Sequence, residues 1–443
     1  MTKTDTNTLD PLLWPANAIR TPSGYLAIAG HSVQDLITTY GSPLYVMDEA
    51  DFRARARRFK SAFPGWDIYY AGKAFLCKAA ARWVNEEGLS LDVCSGNELA
   101  VALAAGFPPA RMGLHGNNKS DDELRQAIAA GVGRIIVDSL GEIDRIDALA
   151  AGYDPVPVLV RLTTGVAAHT HDYVATAVED QKFGFSTHSG AAMEALLACH
   201  QRRHIALEGV HSHIGSQIFG TEAFEEAVRR TFAVVAQLRD RTGLQLAQVD
   251  LGGGFGIAYT GDDDPATPEE LHAGMFAAAE QERIRHNLAP VRLSIEPGRA
   301  ITGPAGVALY TVGTVKPVQV TPSLTRTYVS VDGGMSDNVR TALYEAQYTA
   351  VLANRRSDAE PVLSRVVGKH CESGDILVRD VYLPGDVRRG DILAVPASGA
   401  YARSLSSNYN HAARPAVIAV NDQGTYPIVR RETLDDLLAL DVG

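Results

Sequence analysis

Between residue 67 and about residue 300, short apolar runs alternate with longer stretches whose apolar residues recur at helical spacing. The runs end at "DIYYAGK", "LSLDVCS", "RMGLHGN", "RIIVDS", "VLVRL", "LEGVHSHIG", "AQVDLGGG" and "RLSIEPG". Between them lie Ala- and Leu-rich stretches such as "ELAVALAAG" and "DDELRQAIAAG", both closing on glycine, as helices often do. With Tyr69, Asp92, His115, Asp138 and Arg161 as markers of the first five strands, the gaps 92−69, 115−92, 138−115 and 161−138 are each 23 residues. Runs near His213, Asp250 and Glu296 raise the strand count to eight. Eight βα units predict an α/β fold of the (β/α)8 TIM-barrel type, with a doubly wound sheet as the competing arrangement. The stretch Thr163–Ser186 is a longer insertion and is expected to be an active-site loop.

After about Pro304 the helical period stops. "GVALYTVGTVKPVQV", "RTYVSVDGGM", "PVLSRVVGK", "DILAVPASGAY" and "RPAVIAVND" are β-branched runs cut by Gly, Pro and Asp turns, which predicts an all-β domain of sandwich-like or barrel-like build. The opening forty residues contain another short strand, "GYLAIAG". The expected domains are therefore a barrel over residues 44–304, a β domain over 305–443, and a segment, 1–43, that joins the β domain. A chain of 443 residues suits a barrel of roughly 250 residues plus a second unit.

Composition narrows the function. Hydrophobic residues at 46% and charged residues at 21% are ordinary for a well-cored globular protein. A net charge of −11 argues against a general nucleic-acid binder, which needs clustered Lys and Arg. No apolar run approaches the roughly 18 residues of a membrane span, and "MTKTDTNTLDPLLWP" reads as a polar tail rather than an export signal. Cys77, Cys94, Cys199 and Cys371 are far apart and form no CxxC pair, so neither a disulfide framework nor a structural zinc is expected. A reducing cytoplasm is the natural setting.

Barrels carry their working groups at the C-terminal ends of the strands. Those ends hold Lys73, Asp92, His115, Arg161, His213, Gly252-Gly253-Gly254, Glu296 and Arg299. Lys73 in "YYAGKAF" is either a lysine snorkelling at a strand end or a desolvated amine able to form a Schiff base. The triplet in "VDLGGGFGI" is neither a Walker motif nor a dinucleotide fingerprint. With "IEPGR", which adds Gly298 and Arg299, it forms turns after the seventh and eighth strands, where barrels often bind phosphate. Glu296 could pair with Arg299, or with a protonated ring nitrogen on a cofactor. His211 and His213 share one side of a strand without a clear third metal ligand, and His169 and His171 in "AHTHDY" are equally ambiguous. In the β region, Arg340 and Tyr344 in "SDNVRTALY", Tyr401 in "GAYARSLSSNYN", and Cys371 with Glu372 in "KHCESGDIL" could each be ordinary surface.

Taken in order, "YAGKAF", "LDVCSGNELA", "HGNNKS", "DQKFGFS", "HSHIGSQ", "DLGGGFGIAY", "EPGRAI", "DGGMSDNVR", "HCESGDIL" and "GAYARSLSSNYN" resemble the fold-type III pyridoxal-phosphate decarboxylases over nearly the whole chain. The resemblance implies pyridoxal 5'-phosphate as cofactor, with Lys73 joined to it, His213 stacked on its ring and Glu296 keeping its nitrogen protonated. It implies Ser216, Gly252, Gly253, Gly254, Gly298, Arg299 and Tyr401 around the phosphate, with Asp92 and Glu98 in support. Glu, where the ornithine-acting members usually have Asp after the Cys, implies an amino-acid substrate with two ends, meso-2,6-diaminopimelate, converted to L-lysine and CO2. Arg299, Arg340 and Tyr344 would then take its distal carboxylate and Glu372 its distal ammonium, with Tyr401 also bordering the substrate, while Cys371 reprotonates Cα. The family works as a head-to-tail homodimer in which the Cys-Glu loop of one chain completes the other chain's site.

Two positions depart from the family pattern. "LTTGV" has Thr164, and Thr341 follows Arg340, where prolines are usual; both changes loosen loops and remove no reactive group. Two other functions stay open at this point. One is a decarboxylase of another basic amino acid, for which Arg299, Arg340 and Tyr344 would lack a purpose. The other is a non-catalytic homologue, against which the joint presence of Lys73, His213, Glu296 and Cys371 argues.

Overall fold

A computed structural model describes residues 5–166 and 182–443. Contacts divide the described chain into two compact units. One comprises the described parts of Arg55–Gly256 together with Asp264–Ala300; the other comprises the chain up to Ala54, Ile257–Asp263 and Ile301–Gly443.

The first unit is the expected barrel. Its parallel strands are Asp67–Ala71, Ser90–Val93, Met112–Leu114, Arg134–Val137, Val156–Thr163, Ile205–Ser212, Gln248–Asp250 and Arg292–Ile295. Each pairs with the next, and the eighth pairs back onto the first, which closes the ring. Every marker residue lies in one of these strands or immediately after it. Four of the helices between strands begin where Ser or Thr accepts a backbone N–H: Ser95 from Glu98, Ser139 from Glu142, and capping boxes at Ser120/Glu123 and Thr267/Glu270. "DDELRQAIAAG" ends as expected, with Gly131 in the left-handed region that a side chain disfavours.

The second unit is mainly β. Its longest strand, Gly306–Thr321, pairs through its first half with Leu44–Asp48 and Ile392–Val395, and through its second half with Leu324–Val331. Pro361–Val367 and Ile376–Pro384 extend one side, and Ala416–Asn421 with Gly424–Val429 the other. Leu44–Asp48 corrects the sequence reading, which placed these residues at the start of the barrel. They form a strand of the β unit, hydrogen-bonded between Gly306–Leu309 and Ala416–Val420. All five residues are buried, and a fully buried strand reads alike in either unit. Their neighbours explain why the opening segment also belongs here: Leu13, Trp14, Leu26, Ile28 and Leu44 share a core with Val307, Leu309 and Ile418. Burying each large apolar side chain contributes about 1.5–3 kcal/mol. Among the described residues, no helix is long and apolar enough to cross a membrane.

Candidate active site

The barrel's strand ends surround a cavity of about 280 Å³ lined by Lys73, Asp92, Cys94, His115, Arg161, Phe183, His211, His213 and Glu296, among others. Lys73 follows the first strand in a short turn, Gly72–Ala74. Asp92 is the next-to-last residue of the second strand, and His211 lies near the end of the sixth. His213 and Glu296 sit one residue beyond their strands.

These side chains are tied to one another. Glu296 Oε1 lies 2.9 Å from His211 Nε2 and 3.3 Å from His115 Nε2. His115 Nε2 is also 3.2 Å from Asp92 Oδ1. Burial would raise the Glu296 carboxyl, but His211 and then His115 hold it well below the usual carboxylate range. Asp92 goes the other way, raised by burial and by the neighbouring Glu296 charge. His115, despite burial, is raised to about 9 by Glu296 and Asp92. The pair thus splits into an ionised Glu296 and an Asp92 that takes a proton first. Glu296 Oε2 makes no hydrogen bond to a described residue. His213 is pushed well below its ordinary value by burial and by Lys73, so its imidazole is neutral. By distance alone the donor atoms of His115, His211 and Glu296, within 4.8 Å of one another, could accept a cation; both imidazoles instead carry Nε2 within 3.3 Å of the carboxylate.

The glycine turns are packed against strand ends. A Cβ on Gly253 would lie 2.3 Å from the Glu296 carbonyl, and one on Gly254 2.3 Å from that of Gly215. Gly252 (φ +69°) and Gly254 (φ +106°) also occupy the left-handed region. The Gly252 N–H donates to Asp250 Oδ1 (2.7 Å) and the Gly253 N–H to His213 Nδ1 (3.2 Å). The Gly254 N–H has no partner among the described residues. Arg299 Nη2 donates to Ser216 Oγ at 2.8 Å, and Gly298 packs on Ala71. Glu98 serves its own turn, accepting the Cys94 N–H at 2.6 Å.

The remaining predicted residues lie in the β unit. Arg340 is buried, 4% exposed, with its guanidinium 4.7 Å over the Tyr259 ring and 5.5 Å over that of Tyr348, whose hydroxyl accepts from it. It meets no carboxylate among the described residues. Tyr344 ends the same short helix, Arg340–Tyr344, half-buried. Thr341 compensates for the expected proline: its hydroxyl donates to the Leu377 carbonyl at 3.0 Å and pins the helix start. Thr164 sits on a described loop end, where its carbonyl accepts from Arg230 at 2.8 Å. Cys371 and Glu372 are exposed, and the Tyr409 hydroxyl donates to Glu372. Their flanks are fixed: Asp375 accepts the N–H groups of His370 (2.7 Å) and Met335 (2.6 Å), and His370 hydrogen-bonds Ser336 and Asn410. Tyr401 adopts a positive φ of 58°. His169, His171 and most of the Thr163–Ser186 insertion lie outside the described residues.

Sequence reasoning undervalued His115 and His211, and missed Arg134. His115 stood among the strand-end residues without a role. Arg134 is a charge opening an otherwise apolar strand, and that was the available signal.

Three comparisons bear on this geometry. The pyridoxal binding domain of the pyridoxal-dependent decarboxylases matches residues 49–303. Diaminopimelate decarboxylase of Mycobacterium tuberculosis H37Rv is 54% identical over 443 residues, covering 98% of each chain. That of Bacillus subtilis is 45% identical, covering 95% of each. The crystal structure of diaminopimelate decarboxylase from M. jannaschii in complex with L-lysine superposes with a TM-score of 0.89 at 31% identity, covering 97% of this chain and 99% of that one.

Proposed function

Since the chain belongs to the diaminopimelate decarboxylases of the pyridoxal-dependent family, we propose how its residues divide the work of that reaction. The protein is a pyridoxal-phosphate-dependent carboxy-lyase that converts meso-diaminopimelate to L-lysine and CO2. The cofactor, when bound, supplies an electron sink for the pair left on Cα as the C–C bond to CO2 breaks.

Residues present at the barrel cavity fit that group: an amine, an ionised carboxylate with one oxygen uncommitted, a neutral imidazole and an unpartnered backbone N–H. Lys73 is the amine that holds the cofactor's aldehyde. Glu296, kept ionised by His211 and His115, holds a proton on the ring nitrogen; this carboxylate, clamped by two imidazoles in the cavity that Lys73 lines, carries the reading. His213 offers a flat, uncharged ring, with its Nδ1 tethered by Gly253. Gly254, Ser216, Arg299, Gly298 and Tyr401 take the phosphate, while Gly252 and Gly253, their N–H groups already engaged, shape the turn.

On the substrate side, Arg299, Arg340, Tyr344 and Tyr401 hold the distal carboxylate and Glu372 the distal ammonium. Arg340 supports the diaminopimelate reading over that of a plain basic amino acid, because its buried charge has ring faces around it but no carboxylate. Cys371 delivers a proton to Cα. Exposed on a loop with fixed flanks, Cys371 and Glu372 serve the cavity of a second copy, in a homodimer with shared sites. The enzyme works in the cytoplasm, where its four cysteine thiols stay reduced.

The test is a substrate panel with purified protein and pyridoxal 5'-phosphate, followed by chromatography. Lysine should appear from meso-diaminopimelate alone. Consumption of ornithine or arginine with no lysine formed would sink the assignment.

A further inference from the structure

Beneath the cavity, inside the barrel, lies an arginine. Arg134 opens the fourth strand and is 1% exposed. Its guanidinium lies 3.5 Å over the Tyr69 ring of the first strand. Nη1 donates to Ser294 Oγ of the eighth strand (3.2 Å), and Nη2 to Asp250 Oδ2 of the seventh (2.6 Å). The same Nη2 is 3.7 Å from Asp92 Oδ1 and 3.9 Å from Glu296 Oε1. Gly113 of the third strand makes the crossing possible: a Cβ there would lie 2.4 Å from Asp92 Oδ1 and 3.2 Å from Arg134 Nε.

We propose that Arg134 is a positioning residue for the decarboxylation site, a buried cation that backs His211 and His115 in keeping Glu296 ionised and holds the Asp250–Gly252 turn. The charge balance leads there. Three buried carboxylates, Asp92, Asp250 and Glu296, share the interior with Arg134 and with His115 and His211. Arg134 is the cation of that set that keeps its charge at any ordinary pH. Without it, the cluster is one charge more negative in a water-poor interior, which favours protonation of its acids. Other charges near Glu296, from Lys73 and Arg161, line the same cavity, whereas Arg134 reaches it from inside the barrel. Arg134 reaches the turn by a second route. Asp250 Oδ2 also accepts from Ser294 Oγ, Asp250 Oδ1 holds the Gly252 N–H, and the Gly252 carbonyl accepts the Glu296 N–H (2.9 Å). One cation therefore touches the carboxylate and the turn that positions it.

This inference rests on the proposed role of Glu296, and the experiment separates the two. Cofactor affinity of the full-length chain, by fluorescence titration with pyridoxal 5'-phosphate, and kcat/KM for meso-diaminopimelate are measured from pH 5.5 to 9.5. The proteins are wild type, Arg134→Lys, Arg134→Gln and Arg134→Gln/Asp250→Asn. Loss of the cation raises the pKa of the acids, so the Gln variant should lose affinity and activity at low pH and regain them as pH rises. Its acid limb should move up by roughly one unit or more, a tenfold change in ionisation. The Lys variant should keep the wild-type limb, and the double variant, one acid fewer, should move back toward it. Coincident acid limbs in wild type, Lys and Gln proteins, or equal pH-independent losses in both single variants, would overturn the inference. If Glu296→Gln leaves wild-type affinity and turnover intact, the reading of Glu296 fails first.

Discussion

The barrel cavity and the "KHCESGD" loop carry chemistry in opposite ways. At the cavity, Asp92, His115, His211 and Glu296 are buried and each is held by another, so protonation of one shifts the rest. On the loop, Cys371 and Glu372 are exposed, and order comes from neighbours that do no chemistry, His370 and Asp375. A charge that must stay on one atom is best set where the dielectric is low and partners are fixed. In the proposed dimer, a proton donor and an ammonium reader that serve another chain must remain uncovered until that chain arrives. Burial therefore marks the first kind of residue and hides nothing of the second.

The largest effect should come from Lys73→Ala, which removes the amine: turnover falls below detection and the Schiff-base absorbance that borohydride abolishes disappears. Cys371→Ala should lower kcat by about 10²–10⁴-fold, the usual worth of a positioned proton donor, with cofactor affinity unchanged in a binding titration. The two inactive proteins also test whether the loop serves a second copy. Mixed and allowed to re-associate, they should recover roughly a quarter of wild-type activity, one intact site in each mixed dimer; no recovery would place Cys371 in its own chain's site. Glu372→Gln should raise KM for meso-diaminopimelate by about tenfold or more, the value of one charge-assisted hydrogen bond, with a smaller change in kcat.

The cavity predicts a pH signature that the loop does not. His115 is raised from 6.5 to about 9 in the folded chain. Its contribution is therefore complete below pH 6.5 and fades as pH rises through 9, a few kcal/mol at most. The cofactor-free wild type should lose thermal stability across that window more steeply than His115→Gln; parallel curves would contradict the coupled cluster. The smallest effect belongs to Thr341→Val, which should cost about 1 kcal/mol in urea unfolding and leave kcat near wild type.

Much of the architecture was legible in the chain. A repeat of 23 residues, with an ionisable or glycine residue at each strand end, specified eight βα units and their functional rim. The 23-residue spacing holds only for the first five strands; the later three were legible because parallel strands covered on both faces must be apolar, and polar residues then stand out where strands stop. The same logic failed at Leu44–Asp48, since a fully buried strand reads alike in either unit and only its hydrogen-bond partners distinguish them. It failed again at Arg134, whose charge looked like a strand boundary.

The sequence by itself determined which chemical groups this protein possesses and in what order, from Lys73 to Cys371, because local pattern and reactive residue types are written residue by residue. Which of those groups hold a charge was decided only by tertiary structure. Glu296 is ionised, Asp92 proton-seeking and His213 neutral because residues far apart in the chain were brought within about 4 Å in an interior where water cannot screen them.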